Sequence, residues 1–206
     1  MILVTLLAQM ISAKFSHELS GLLGAIKNSV EFINNPNDSI KDQSVRLASL
    51  AAHSAVIRLR FFRELYGYSE EPLSLSNMQR LVKDFFAEKD IEVLFINLES
   101  LDSGWKTSNH AKLLLCIAVL CQNHLPLGGE IAISCLSEEV TIVACGPSVC
   151  YVNRPILTSS AKQGNISIWN VHEYYARQLA DELGLRVSIL DQEGGVSYKV
   201  FAKSPL

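Results

Sequence analysis

The sequence lacks several features that would place it in a function class at once. Its 206 residues have a formal net charge of −3, and neither sign of charge forms a long run. This argues against a nucleic-acid surface, which needs clustered lysine and arginine to neutralise phosphates. No stretch reaches the roughly 20 apolar residues that a membrane-spanning helix requires. Since 49% of the residues are hydrophobic and 19% are charged, we expect a folded protein with neither a nucleic-acid nor a membrane partner.

Metal-binding and redox cysteine motifs are missing as well. Five cysteines lie in apolar segments at positions 116, 121, 135, 145 and 150, without the paired spacing of a metal site. They are typical of small core residues in a reducing compartment. The sequence therefore predicts no metal ion or other cofactor held by the chain itself.

The first 13 residues are apolar but do not resemble a secretion signal. No positive residue precedes the apolar run, and the run continues without a break into a helical pattern. We therefore expect a cytoplasmic protein. On that helix Leu3, Leu6, Leu7 and Met10 face the same side as His17 and need a cover.

What the sequence does contain is a histidine early in a long amphipathic helix. At about 100° per residue, the apolar residues of this helix form one stripe. The members of the stripe are Phe15, Leu19, Leu22, Ile26, Val30 and Ile33. His17 lies on the opposite face with Lys14, Gly21, Gly24 and Asn28. Because glycine costs a helix about 1 kcal/mol relative to alanine, two glycines on this face indicate the close approach of another surface.

A phosphorylatable histidine is the functional interpretation of this pattern. A neutral imidazole nitrogen is a good nucleophile near pH 7, and the adjacent Glu18 could orient or deprotonate the ring. Lys14 and Arg58 could attract an acidic partner and screen phosphoryl charge. Ordinary solvated side chains remain the alternative for each of these residues. His53 is the rival acceptor, but it has no adjacent acid and better fits a helix-surface role.

Two long helices joined by a short turn are predicted for residues 1–68. Turn-forming residues and a proline occupy 34–39, and the second apolar stripe runs from Val45 to Tyr66, before a break at Gly67. In one hairpin each stripe has only one other helix to cover it. We therefore expect two copies to pair into a four-helix bundle, as a homodimer.

Residues 73–206 have a mixed pattern of helices and strands, in which we see no internal repeat. The predicted helices are Ser76–Ala87, His110–His124 and Trp169–Leu183. The predicted strands are Ile91–Leu98, Glu130–Leu136, Val140–Cys145, Arg186–Leu190 and Val196–Ala202, the last two across a loop at 191–195. This arrangement favours an antiparallel or mixed sheet with helices on one face.

A hairpin with Ser16-His17-Glu18-Leu19 in front of an α/β domain resembles the two halves of a sensor histidine kinase. Residues 126–133, Pro-Leu-Gly-Gly-Glu-Ile-Ala-Ile, are similar to the Pro-x-Gly-Gly-x-Ile strand start of the kinase ATPase domain. The nucleotide-binding positions of that domain are replaced. Leu120 stands where the magnesium-holding asparagine is expected, Ala144 replaces the adenine-binding aspartate, and Gly164 alone remains of the phosphate loop. Because the charges of ATP need a metal or backbone donors, we expect no ATP binding.

An intact histidine helix before a degenerate ATPase-like domain is similar to the ChpT-type histidine phosphotransferases of bacterial cell-cycle phosphorelays. The most specific part of the resemblance is 16–32, with Gly-Ala-Ile-Lys-Asn at 24–28. It implies an α+β protein: a helical hairpin forming a dimeric four-helix bundle (1–68), followed by a histidine-kinase ATPase-like α/β sandwich (73–206).

The resemblance also implies roles for single residues in two-component signal transduction. His17 accepts a phosphoryl group from the aspartate of one receiver domain and passes it to another response regulator, and Glu18 assists. Mg²⁺ is supplied by the partner receiver. The predicted receiver-docking residues are Lys14, Gly21, Gly24, Asn28 and Arg58.

Two other interpretations stay open from the sequence. An ATP-dependent sensor histidine kinase fragment would have the same architecture, but Leu120 and Ala144 disfavour it. A non-catalytic dimer that only sequesters receivers would need no phosphorylation of His17. Nucleotide titration separates the first alternative from a phosphotransferase, and an acid-labile label on His17 separates the second.

Overall fold

The structure is a computed structural model. It describes residues 2–68, 73–98, 107–136, 139–152, 157 and 166–203, except the side chains of 2–4. The helices are α1 (Ile2–Glu31), α2 (Asp38–Tyr66), α3 (Leu75–Ala87), α4 (Ser108–Gln122) and α5 (Val171–Glu182). The strands are β1 (Ile91–Ile96), β2 (Gly129–Leu136), β3 (Glu139–Cys145), β4 (Leu185–Gln192) and β5 (Gly195–Ala202). The predicted elements are confirmed, with ends displaced by a few residues. Within the described residues, no helix is long and apolar enough to cross a membrane.

The ends of α2 follow from local chemistry. The side-chain oxygen of Asn37 accepts hydrogen bonds from the backbone nitrogens of Ser39 (3.0 Å) and Ile40 (3.4 Å), which caps the helix start. At the other end the backbone N–H of Gly67 donates to the carbonyl of Arg63 at 2.7 Å. A Cβ at position 67 would collide with that same carbonyl oxygen. Glycine is therefore needed where the chain leaves the hairpin.

The five strands form one mixed sheet in the order β1-β2-β3-β5-β4. The β1–β2 pair is parallel and the other pairs are antiparallel, so the predicted sheet type is confirmed. The loop predicted at 191–195 is shorter in the structure, where β4 and β5 extend into it. Gln192 pairs directly with Gly195, and Gly194, at φ +71°, lets the chain reverse within two residues.

One hydrophobic core joins the base of the hairpin to the α/β domain. Every residue of α4 from 113 to 121 is buried, which explains its almost wholly apolar sequence. Phe61 from α2 stacks on Phe85 from α3, with ring centroids 3.8 Å apart. The C-terminal end of α2 is thus held by the domain that follows it, and the predicted units 1–68 and 73–206 share this core.

A second, small cluster covers the start of α1. Leu7 packs with Ile166 and Val171, and Leu6 and Met10 border the same cluster. The cover predicted for this side of the helix is therefore the start of α5 in the same chain. The side chain of Leu3 lies outside the described residues.

The prediction that the cysteines are core residues holds for three of the five, holds in part for Cys145 and is wrong for Cys150. Cys116, Cys121 and Cys135 are buried, Cys145 is half-buried, and Cys150 is exposed. Cys150 follows the end of β3, where the chain has left the sheet and runs over the surface. None of these five described cysteines forms a disulfide bond.

Candidate functional site

His17 lies on α1 with an exposed side chain. Its ring meets the indole of Trp169 edge-to-face, with centroids 6.1 Å apart and an interplanar angle of 71°. Trp169 belongs to the turn before α5 and is itself 71% exposed. Sequence reasoning missed this contact because the two residues are far apart along the chain.

Glu18 does not use its carboxylate on His17 in the structure. Its Oε1 lies 3.0 Å from Nζ of Lys14, and its Oε2 accepts a hydrogen bond from Nη1 of Arg58 at 2.9 Å. The ion pair between Glu18 and Arg58 links α1 to α2 next to the predicted phosphoacceptor, His17. Burial alone would raise the pKa of Glu18, but the hydrogen bond and charge of Lys14, with the charges of Arg58 and Lys89, hold that pKa below its usual range.

Lys89 is a third cation beside this carboxylate, and sequence reasoning did not single it out. It follows α3, and its amine donates to the side-chain oxygen of Gln122 and lies 4.2 Å from the ring centroid of Phe85. Burial, followed by the charge of Arg58, lowers the pKa of Lys89 to about 8, although Glu18 opposes this shift. Its sequence neighbours, one acid on each side, suggest only an ordinary charged turn.

Three of the predicted docking residues, Gly21, Gly24 and Asn28, face open space. A Cβ built at Gly21 or Gly24 meets nothing within 4 Å, and Asn28 is exposed. The two glycines are therefore not needed to fit another part of this chain. Lys14 and Arg58, by contrast, are mostly buried and tied to Glu18.

The two buried histidines, His124 and His172, have contacts that fit structural roles. His124 is fully buried, with Nδ1 2.6 Å from the carbonyl oxygen of Cys150 and Nε2 2.7 Å from the hydroxyl of Tyr198. His172 lies with its Nδ1 2.7 Å from the hydroxyl of Tyr66. His53, the rival acceptor, is exposed on α2.

The positions matched to a nucleotide site are apolar and face the core. Leu120 is 1% exposed and Ala144 is fully buried. Gly164 lies outside the described residues. Within the residues that the structure describes, no group of three or more His, Cys, Asp or Glu side chains is placed to hold a metal ion.

The ion pairs of Glu18 predict a pH-dependent contribution to stability. Because its pKa is lower in the folded chain than the ordinary 4.5, the stabilisation is fully present above that value and is lost as the pH falls through the folded pKa. We expect Glu18→Gln to lower the free energy of unfolding by roughly 1 kcal/mol at pH 7. Urea unfolding of both chains should show this difference shrinking in acid. Glu31→Gln, at an exposed site on the same helix, is the control; a difference that stays constant with pH would contradict the assignment.

Residues 77–195 match the family model of the histidine phosphotransferase C-terminal domain. The chain belongs to this family. The prediction of a histidine phosphotransferase is thereby confirmed. The family match begins after α2, so the phosphotransferase helix that contains His17 lies outside it, and the assignment of His17 stays a prediction.

Two relatives span nearly the whole phosphotransferase chain. The protein phosphotransferase ChpT of Brucella abortus (strain 2308) is 21% identical over 192 residues, which are 89% of each chain. The solved structure of a bacterial phosphotransferase matches with a TM-score of 0.81 at 20% identity, covering 94% of this chain and 95% of the other. The fold of this phosphotransferase is therefore shared along its length.

Proposed function

We propose that this phosphotransferase accepts a phosphoryl group on His17 from the aspartyl-phosphate of a receiver domain and passes it to a second response regulator. The observation that supports this most is an exposed imidazole on a helix face that stays open beyond it, at Gly21 and Gly24. An acceptor must meet a partner's active site at close range, and bulky neighbours on this face would prevent that approach.

The transfer needs little from the chain besides a well-placed nucleophile. A nitrogen lone pair of neutral His17 attacks phosphorus, and the N–P bond forms as the bond from phosphorus to the aspartate oxygen breaks. The electron pair of the broken bond stays on the aspartate as carboxylate, and the resulting N-phosphoimidazolium loses the proton of its other ring nitrogen to water or a nearby base. That nitrogen regains a proton, and a carboxylate of the second receiver then attacks the same phosphorus as the N–P bond breaks, which restores neutral His17. Mg²⁺ held by the receiver would neutralise phosphoryl oxygen charge, so the chain needs no metal of its own.

Glu18 and Lys14 support this step from the side of His17. Lys14 precedes His17 by three residues, so the two side chains are neighbours on the helix surface. The contact between Glu18 and Lys14 at 3.0 Å keeps the ammonium group near the site. We propose that Lys14 screens phosphoryl charge and that Glu18 assists by holding Lys14 in this place.

The exposed apolar residues of the hairpin divide into two faces. The buried side chains of Ser29 on α1 and of Ser44 and Ala51 on α2 mark the seam between the helices. Counting about 100° per residue from that seam separates the residues on its two sides. The bundle face consists of Leu23, Val30, Val45, Val56 and Leu59, and the His17 face of His17, Gly21, Phe32, Leu47 and Leu50.

We propose that the bundle face pairs with a second copy to form the four-helix homodimer. A groove of about 670 Å³ between the helices continues this face, and Phe15, Leu59 and Phe62 are among its lining residues. Leu23 is 58% exposed in a single chain. A second hairpin would remove this apolar surface from water, which is the driving force for such bundles.

We propose that the His17 face docks the receivers. Leu47 and Leu50 are 58% and 65% exposed and lie on the same side of the hairpin as His17. Neither leucine is among the docking residues predicted from the sequence, which are four residues of α1 and the cation Arg58 of α2. Exposed leucines on the His17 side of the hairpin provide apolar contact area, which the paired Lys14 and Arg58 do not.

Labelling from a phosphorylated receiver tests the proposal. We expect label to move from the receiver to this chain and then to a second receiver, and we expect no label and no heat of binding with Mg²⁺-ATP. Leu120 and Ala144 leave neither a metal ligand nor an adenine-binding carboxylate at the matched positions. Micromolar ATP affinity would restore the kinase alternative, and receiver binding without label transfer would favour the non-catalytic dimer.

A further inference from the structure

Trp169 is a large aromatic residue whose position relative to His17 is set by a buried anchor. Its turn is closed by the side chain of Asn170, which accepts a hydrogen bond from the backbone nitrogen of Ser167 at 2.8 Å. Ile166 before the turn and Val171 after it are both buried against the start of α1. The backbone at Trp169 is therefore held against the same helix that carries His17, although it belongs to the α/β domain.

The same indole touches two functional side chains of α1. Its ring meets His17 edge-to-face at 6.1 Å between centroids, and Nζ of Lys14 lies 5.8 Å from the ring centroid. Both contacts are of favourable types, since aromatic pairs prefer edge-to-face geometry and cations are attracted to the ring of tryptophan. Lys14 in turn contacts Glu18. One residue of the α/β domain thus borders both the predicted nucleophile and the adjacent cation.

We propose that Trp169 is a positioning residue for phosphoryl transfer: it holds the imidazole of His17 in one orientation on the open helix face. This inference rests on the proposed function of His17. An exposed histidine otherwise distributes over several staggered side-chain conformations, and those that point away from phosphorus cannot react. Restricting the ring to one conformation before the receiver arrives raises the fraction of productive encounters. The proposal gives the α/β domain a part in the reaction that needs no nucleotide.

The contact itself is tested without any receiver. The ring protons of His17, identified in a ¹H–¹³C spectrum by their absence in His17→Ala, are expected to shift when Trp169 is replaced by alanine, because the indole ring current is lost. Tyr151→Ala removes another exposed aromatic side chain of the same domain and is expected to leave those protons unchanged. Identical His17 signals in wild type and Trp169→Ala would overturn the proposal.

The role in transfer is tested by rapid-mixing kinetics with a phosphorylated receiver. Trp169→Ala is expected to lower the maximal transfer rate roughly tenfold, with little change in the receiver concentration needed for half of that rate. Trp169→Phe, which keeps an aromatic edge, should recover most of the rate. If only the half-saturating concentration rises, Trp169 is a docking residue and the positioning role is wrong. If wild type itself takes no label, the proposed function fails, whereas an unchanged rate in Trp169→Ala overturns this inference alone.

Discussion

Replacing His17 with alanine is expected to abolish phosphoryl transfer from a phosphorylated receiver. No other side chain on the open face of α1 beside Gly21 offers an imidazole nucleophile, so the reaction loses the atom to which phosphorus bonds. The fold should survive, because His17 is exposed and its described ring contact is with the largely exposed Trp169. Label that is stable in base and labile in acid, present in wild type and missing in the variant, would identify phosphohistidine at this position.

His53→Ala is the matched control for that experiment. Both histidines are exposed on the hairpin, His17 on α1 and His53 on α2. We expect His53→Ala to take label at the wild-type rate, and both variants to unfold at the wild-type urea concentration. Full labelling of His17→Ala together with loss of label in His53→Ala would show that the acceptor assignment is wrong.

Replacing Leu59 with glutamate is expected to convert the proposed homodimer to monomers. Leu59 lies on the bundle face and lines the groove between α1 and α2. In a four-helix bundle this position is buried, and burying an unpaired carboxylate there costs several kcal/mol, which opposes assembly. Sedimentation equilibrium at micromolar concentration should show half the wild-type mass.

Leu50→Glu places the same charge on the same helix but on the His17 face. Leu50 is 65% exposed, and we expect this variant to remain dimeric while needing a higher receiver concentration for transfer. The two substitutions thus separate assembly from docking. A monomeric wild type, or dissociation by Leu50→Glu and not by Leu59→Glu, would contradict the assignment of the two faces.

Much of this fold could be predicted from local patterns. Apolar residues at helical spacing identified α1 and α2, and runs of β-branched residues between turn formers identified the strands. His17 could be singled out because a helix of known period fixes which neighbours share its face. Gly21 and Gly24 could be placed beside it for the same reason, and the structure leaves that face open.

The contacts around His17 could not be predicted in that way. Trp169, Lys89 and Arg58 reach the start of the hairpin from three other segments, and each brings a contact or charge that decides how the site is built. Glu18 is an example: the sequence shows that it is adjacent to His17 but not which side chains its carboxylate contacts. Its actual partners, Lys14 and Arg58, depend on how α2 packs against α1.

By itself, the sequence determined the secondary structure and the placement of Gly21 and Gly24 on the His17 side of α1. These features depend on residue type and on spacing within one element, where geometry repeats every few residues. The tertiary structure alone decided that α5 covers the start of α1 and that Trp169 borders His17. Those contacts arise from burial of apolar surface between segments that are distant in sequence. Burial stabilises any well-packed pairing of segments, so it leaves no periodic pattern in the chain.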